Sequence, residues 1–306
     1  MLPAIAGYLA AARAGIPPMN ELSEELNKKL GEAVERMPAF PKSVQKILEL
    51  TRDLNCSPKV LVQVIENDPI ITMKILRVLN SAYYRLPSKI TSINHSVVFL
   101  GLNTVKNIAL SIAAIGIMPK KNAAGFDVGQ YLLHSLSTAA IAKHLCGKVG
   151  GADPMDCYVA GLLHDFGKVV FAQFMPEQFK IALEKSPEDN IPLFTAEQFA
   201  IGTDHTVVGS MLAEKWQFPK LLIDSIRNHH SEKAGATVMG ACVFAANQIS
   251  KKMGYGSAGD ARVESLPPAV AKHFGCSLEV LIDSIGDDEL GRIIEHARQF
   301  AQMDAS

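Results

Sequence analysis

Apolar side chains recur at intervals of three and four along most of this chain, and capping residues mark the breaks between the runs. After Asp68 come Ile70, Ile71, Ile75, Leu76 and Leu79, a spacing close to the 3.6-residue period of an α-helix. Ser57-Pro58, Asp68-Pro69 and Asp153-Pro154 each set a short polar side chain ahead of a proline. Such a side chain can accept from an otherwise unpaired N–H of the first turn, and proline has no N–H to leave unpaired there. Ile47, Leu48 and Leu50 predict an earlier helix opening near Pro41, and residues 101–117 predict a strongly apolar one. No two alternating runs are joined by Asn-Gly or Asp-Gly, so no β-hairpin is signalled.

Pro119-Lys120-Lys121-Asn122-Ala123-Ala124-Gly125 is polar and rich in helix breakers, with apolar segments on both sides, which predicts a boundary. Beyond it the pattern predicts helices over 126–145 and 153–174, shorter ones from about residues 194, 204, 219 and 236, and two or three more after Ser265. The expected architecture is all-α in two parts, an N-terminal helical bundle over residues 1–118 and a second helical domain over 126–306. Residues 1–10 are apolar but lack a basic flank ahead of them, so an N-terminal helix or arm is expected rather than a signal sequence.

Composition narrows the function classes. The 306 residues are 48% hydrophobic and 20% charged, with 30 Lys+Arg against 31 Asp+Glu, which argues against disorder and against a strongly basic nucleic-acid footprint. Aromatics make up 7%, with Trp216 the single tryptophan, thin for an all-β chain. The five cysteines are scattered without a CxxC, so a zinc ribbon is excluded and reduced thiols in a cytoplasmic protein are expected. No run approaches the roughly 20 apolar residues needed to span a bilayer, so no membrane role is expected. Nothing in the N-terminal half reads as a recognition helix or a basic stacking surface. Lys42, Lys46, Arg52 and Lys59 are spaced for solvated faces.

Candidate chemistry lies in the second part, where His134, His144, His164, His205, His229 and His230 all fall. The segment from Ala160 to Val170 reads as one apolar helix carrying His164, Asp165 and Lys168, and burying such groups is costly unless each finds a partner. His164 and Lys168 are then one turn apart on one face, with Asp165 beside them. The adjacent carboxylate and imidazole can give one metal two ligands, or Asp165 can bridge two metals. An ordinary buried His–Asp hydrogen bond is the bland alternative. His134 falls mid-helix, His205 at a helix start, and His229-His230 at a helix end, and each has a bland reading as a surface or backbone-bonded histidine. Adjacent histidines diverge by about 100° on a straight helix, so His229 and His230 serve one site only near a helix end or by facing two metals.

The order His134, His164-Asp165, His205, His229-His230 resembles the HD superfamily of metal-dependent phosphohydrolases. His164-Asp165-Phe166-Gly167-Lys168 and the double histidine are similar to its HD-GYP branch. Met37-Pro38-Ala39-Phe40-Pro41, Asp68-Pro69, Asn80-Ser81-Ala82-Tyr83-Tyr84, residues 93–101, residues 202–209 and Trp216-Gln217-Phe218-Pro219 narrow the resemblance to the HDOD family, in order over about residues 35–253. The resemblance implies an N-terminal bundle packed with an HD-like domain. It implies metal ligands at His134, His164, Asp165, His205, His229 and His230, and a weak one at Asn247, where HD enzymes carry an Asp. One or two divalent transition-metal ions are expected, iron or manganese ahead of zinc, because many imidazoles with one carboxylate and no thiolate suit borderline metals. No Gly-Tyr-Pro follows His230, Gln130 holds the place where some relatives carry a Glu, and Gly254-Tyr255-Gly256 reads only as a loop. The implied function is a regulatory signalling module that meets another signalling protein and is weakly catalytic or inert. The alternative is a metal-dependent phosphohydrolase or phosphodiesterase acting on a nucleotide or cyclic dinucleotide. There Asp165 would be catalytic and Lys168 would steady a substrate phosphate.

Overall fold

A computed structural model describes residues 22–50, 57–80, 88–119 and 121–303, and among them every regular element is helical. The expectations for residues 1–10, Arg52, Cys56 and Ser81 to Tyr84 lie outside the described residues. The first six helices among the described residues are α1 (Glu24–Arg36), α2 (Lys42–Leu50), α3 (Pro58–Glu66), α4 (Pro69–Leu79), α5 (Ile93–Leu100) and α6 (Leu102–Gly116). Capping behaves as the sequence predicts at Asp68, whose carboxylate accepts from the Ile71 N–H. Ser57 makes no cap bond with its side chain. On α4, Ile71, Ile75 and Leu79 are buried, whereas Ile70 faces water at 65% exposure and so leaves the apolar stripe read from the sequence. Asn80 ends α4 and ties that end to residue 90. Its amide donates to the carbonyls of Leu76 and Ile90, and its oxygen accepts from the Ile90 N–H at 2.8 Å.

The remaining elements are α7 (Val128–Val149), α8 (Pro154–Leu163), α9 (Phe166–Phe174), α10 (Pro176–Glu188), α11 (Leu193–Ile201), α12 (His205–Lys215), α13 (Lys220–Asn228), a 3-10 turn (Glu232–Ala236), α14 (Val238–Lys252), α15 (Pro268–Phe274), α16 (Leu278–Ile285) and α17 (Asp287–Met303). Asp153 caps α8 by accepting from the N–H groups of Met155 and Asp156. Helix α7 packs against α8, α14 and α17, and this packing buries Leu136, Ile141, Leu145, Val243 and Ile249. Removing each such side chain from water stabilises the fold by roughly 1.5–3 kcal/mol. The Met37–Pro41 segment docks on Trp216: the Phe40 and Trp216 rings lie 4.4 Å apart, and Phe166 meets the same indole at 5.3 Å. The Lys215 ammonium donates to the carbonyls of Val34, Glu35 and Met37, satisfying the end of α1.

One expected helix is two. The pattern over 153–174 predicts a continuous segment, but the backbone leaves the helical well at Asp165 (φ −97°, ψ 7°), separating α8 from α9. Close backbone approaches flank the break. A Cβ on Gly161 would sit 2.8 Å from the Ala139 Cα of α7, and one on Gly167 would overlap the carbonyl of His205 at the start of α12. Consequently the shared face expected for His164 and Lys168 is replaced by a turn that aims Asp165 inward, with Lys168 bonded to it from the first turn of α9.

Gly254-Tyr255-Gly256 is also more than a loop. Gly256 adopts a left-handed φ of 73° and lies so close to α7 that a Cβ would overlap the His134 N–H and the Gln130 carbonyl. The next residue, Ser257, donates its N–H to that same Gln130 carbonyl at 3.1 Å. The 254–265 segment is further pinned to α14 by the buried Lys251–Asp260 pair at 2.8 Å. Among the described residues no helix is long and apolar enough to cross a membrane.

Candidate metal centre

Five elements bring their ends or middles to one buried point. His134 comes from the middle of α7, His164 and Asp165 from the break between α8 and α9, His205 from the first position of α12, and His229 and His230 from the end of α13. His134, His164, Asp165, His205 and His229 are each no more than 1% exposed, and His230 is half-buried. The end of α13 is what lets two successive histidines serve one point, since α13 closes at Asn228 and His229 already sits in the cap.

Asp165 divides the cluster in two. Its Oδ1 lies 3.1 Å from His205 Nε2 and 3.4 Å from His229 Nε2, while His205 Nε2 stands 3.3 Å from His229 Nε2 and 3.2 Å from His230 Nε2. Its Oδ2 lies 3.3 Å from His164 Nε2 and 3.7 Å from His134 Nε2. Two donors on one ion with bonds of about 2.1 Å stand roughly 3.0 Å apart at right angles and roughly 3.4 Å apart at the tetrahedral angle. All four separations on the Oδ1 side fall in that interval, and the Oδ2 side is looser. The two groups could each hold a metal ion, with Asp165 common to both.

The outer contacts settle which nitrogen faces inward. His164 Nδ1 meets the Gly161 carbonyl and His229 Nδ1 the Ile226 carbonyl, each at 2.7 Å. A carbonyl only accepts, so both Nδ1 atoms carry the proton and both Nε2 atoms present lone pairs. His205 Nδ1 meets Glu197 Oε2 at 2.6 Å, and the same oxygen accepts the His205 N–H at 2.9 Å. His134 Nδ1 is held by the Ser250 hydroxyl, which donates onward to the Tyr255 carbonyl. The His230 ring stacks on Phe194 at 4.7 Å. Several inward atoms, including Nε2 of His134, Nε2 of His164 and Oδ1 of Asp165, are buried with no protein hydrogen bond. Converging buried lone pairs repel one another, and a cation between them removes that cost.

Burial dominates the protonation of some of these groups and neighbouring charge that of others. Burial pushes His134 and His230 well down and His229 down to about 3, so these imidazoles are neutral at pH 7, the form that binds metal. His205 differs: burial lowers it, but the Glu197 carboxylate outweighs burial and raises it to about 9. For Asp165, burial works to raise the carboxyl, yet His164 and Lys168 hold it well below the usual carboxylate range.

His144 is not among the candidate ligands and lies apart, 3.4 Å from Glu289 on α17. Lys168 is fully buried and donates to Asp165 Oδ2 at 2.8 Å. Asn247 is buried on α14, and neither amide atom has a partner. Glu197 and Ser250 are contributors that sequence reasoning missed. Glu197 did leave a signal, a lone carboxylate inside the apolar run from Leu193 to Ile201. Glu197→Gln is expected to weaken metal binding about 10–100-fold, the usual loss when the partner orienting a ligand histidine is removed. Titration of the metal-free protein with manganese checks this, and an unchanged affinity would show that His205 needs no such orientation.

An HDOD domain model matches residues 37–232. The chain belongs to the HDOD domain family. An uncharacterised protein of Treponema pallidum is 27% identical over 225 residues, covering 72% of this chain and 43% of that protein. The chain therefore spans less than half the length of that curated relative. Among solved structures, an HDOD domain protein of unknown function from Geobacter sulfurreducens superposes with a TM-score of 0.73 at 24% identity, covering 90% of this chain and 99% of that one. A protein from Marinobacter aquaeolei VT8, provisionally assigned to signal transduction, gives a TM-score of 0.73 at 24% identity over 96% of this chain and 68% of its own. At that identity the likeness establishes the helical fold alone. Asn247 and Ser250 on α14 lie beyond the residues matched by the family model.

Proposed function

We propose that this HDOD protein is a regulatory signalling module built on a buried divalent-metal centre and that it does not turn over phosphodiesters at an enzymatic rate. Asp165, His205, His229 and His230 form the tight ligand set; His134 and His164 face the other oxygen of Asp165 in a looser group, with Asn247 a weak neutral contributor. Neutral imidazoles around one carboxylate with no thiolate favour iron or manganese over zinc. The observation that carries the reading is closure. Hydrolysis at two metals requires water on one side and a leaving oxygen on the other. Of the histidine and aspartate ligands, only His230 has appreciable exposure; the others are sealed at 1% or less. Lys168 supports the same reading, because its ammonium is committed to Asp165 rather than aimed at a substrate phosphate.

A phosphohydrolase is the second reading, and one observation favours it. His230 forms part of the wall of a groove of about 400 Å³, lined also by Ser231, Arg262, Glu264, Phe244 and Pro267. A nucleotide or phosphate ligand lying there would meet the edge of the centre. Purification without chelator followed by metal analysis, then assay against cyclic dinucleotides and nucleoside triphosphates, separates the two. The expected result is bound iron or manganese with no turnover. Hydrolysis at the roughly 1–10³ s⁻¹ typical of enzymes, lost in Asp165→Ala, would replace the regulatory reading with the hydrolase.

A further inference from the structure

Two cations compete for the same carboxylate oxygen in this centre. Asp165 Oδ2, the oxygen that faces His164 at 3.3 Å and His134 at 3.7 Å, accepts the Lys168 ammonium at 2.8 Å. Oδ1, the oxygen facing His205 and His229, accepts no hydrogen bond. Lys168 reaches this position from the first turn of α9, three residues after Asp165, and is only 1% exposed. A buried ammonium this far from water keeps its charge only against an anion, and removing that anion is costly.

The charge count points the same way. In a metal-loaded centre every ligand imidazole, His205 included, has given up its inward proton; Asp165 and Glu197 against Lys168 then leave one negative charge before the ion is counted, and Asn247 adds none. One divalent ion brings the total to one positive charge, and a second would bring it to three inside a site sealed from water. Uncompensated buried charge of that size is strongly unfavourable. The donor spacing agrees, since the four separations on the Oδ1 side match a single ion and the Oδ2 side is looser, at 3.7 Å to His134.

We infer that Lys168 is a built-in cation that occupies the second position of the centre, so that the protein takes one divalent ion, held by Asp165 Oδ1, His205, His229 and His230. This rests on the metal-binding reading above and goes beyond it by fixing the ion count and naming the residue that sets it. His134 and His164 then serve the ammonium side of Asp165 rather than a metal.

The test is metal content after equilibrium dialysis of the full chain against manganese, with electron paramagnetic resonance to detect exchange-coupled pairs. The unmodified protein is expected to hold one ion per chain with an uncoupled signal. Lys168→Met frees Oδ2 and is expected to hold two ions with a coupled signal. In the unmodified background, His134→Ala is expected to change affinity by less than about threefold and His229→Ala to lower it at least about 100-fold, beyond the usual loss for an outer contact. This pair of variants keeps the test decisive if Lys168→Met does not fold. Two ions in the unmodified protein would overturn the inference while leaving the metal-binding reading standing. A folded Lys168→Met that still holds one ion, or a loss at His134 equal to that at His229, would overturn it as well. No metal in any form would overturn the metal-binding reading itself.

Discussion

Asp165→Ala is expected to remove metal uptake and to destabilise the metal-free protein together. The first effect follows from position, because among the described residues Asp165 is the only carboxylate that touches both groups of imidazoles, with Oδ1 at 3.1 Å from His205 and Oδ2 at 3.3 Å from His164. Outer contacts to metal ligands are worth about 10–100-fold in affinity, so loss of the carboxylate ligand itself is expected to exceed the upper end of that range. The second effect comes from what is left behind. Lys168 is 1% exposed, and its ammonium bonds to Asp165. Stripping the partner from a buried ion pair costs roughly 3–5 kcal/mol, most of it for the stranded charge. The double variant Asp165→Ala with Lys168→Met removes that charge too, and is expected to be more stable than Asp165→Ala alone. Urea denaturation of the metal-free forms measures both. If Asp165→Ala proved as stable as the unmodified chain, the Lys168–Asp165 pair would not be buried as described.

Much of this was legible in the sequence, and the parts that were not share one cause. Helix positions follow from local signals, such as the Asp68-Pro69 cap and the apolar spacing behind it, because these act within one turn. The clustered histidines were legible through a motif order, since no periodicity places His134 beside His229. What escaped is contact between distant segments. Glu197 was visible only as a carboxylate in an apolar run, and nothing local says that it will take both the ring and the backbone N–H of His205. Gly256 reads as a turn residue, yet the closeness it permits is to α7, more than a hundred positions earlier. The break at Asp165 was hidden because Ala160 to Val170 has helical composition throughout. It forms where glycines let two other helices approach, a tertiary effect that overrides local propensity.

Gly167 is where that override can be measured. A Cβ there would overlap the His205 carbonyl, and the obstacle is backbone rather than the movable end of a side chain. Gly209 of α12 faces the same contact from the other side: a Cβ on it would lie 3.3 Å from the Gly167 nitrogen. Gly167→Ala therefore forces α9 and α12 apart at the residue that carries His205, two positions after Asp165. Overpacking of this kind typically costs about 1–3 kcal/mol and more when backbone must move. Metal affinity should fall with it, because the 3.1 Å spacing between His205 Nε2 and Asp165 Oδ1 depends on that close approach. Gly147→Ala is the matched control: it sits in α7, exposed, with no atom within 4 Å of its added Cβ. There the same chemical change is expected to stabilise the helix by up to about 1 kcal/mol through propensity alone. Thermal melts and manganese titration of the two variants read the contrast directly. A Gly167→Ala protein that melts no lower than Gly147→Ala and binds metal normally would show that the α9–α12 contact does not set the geometry of the centre.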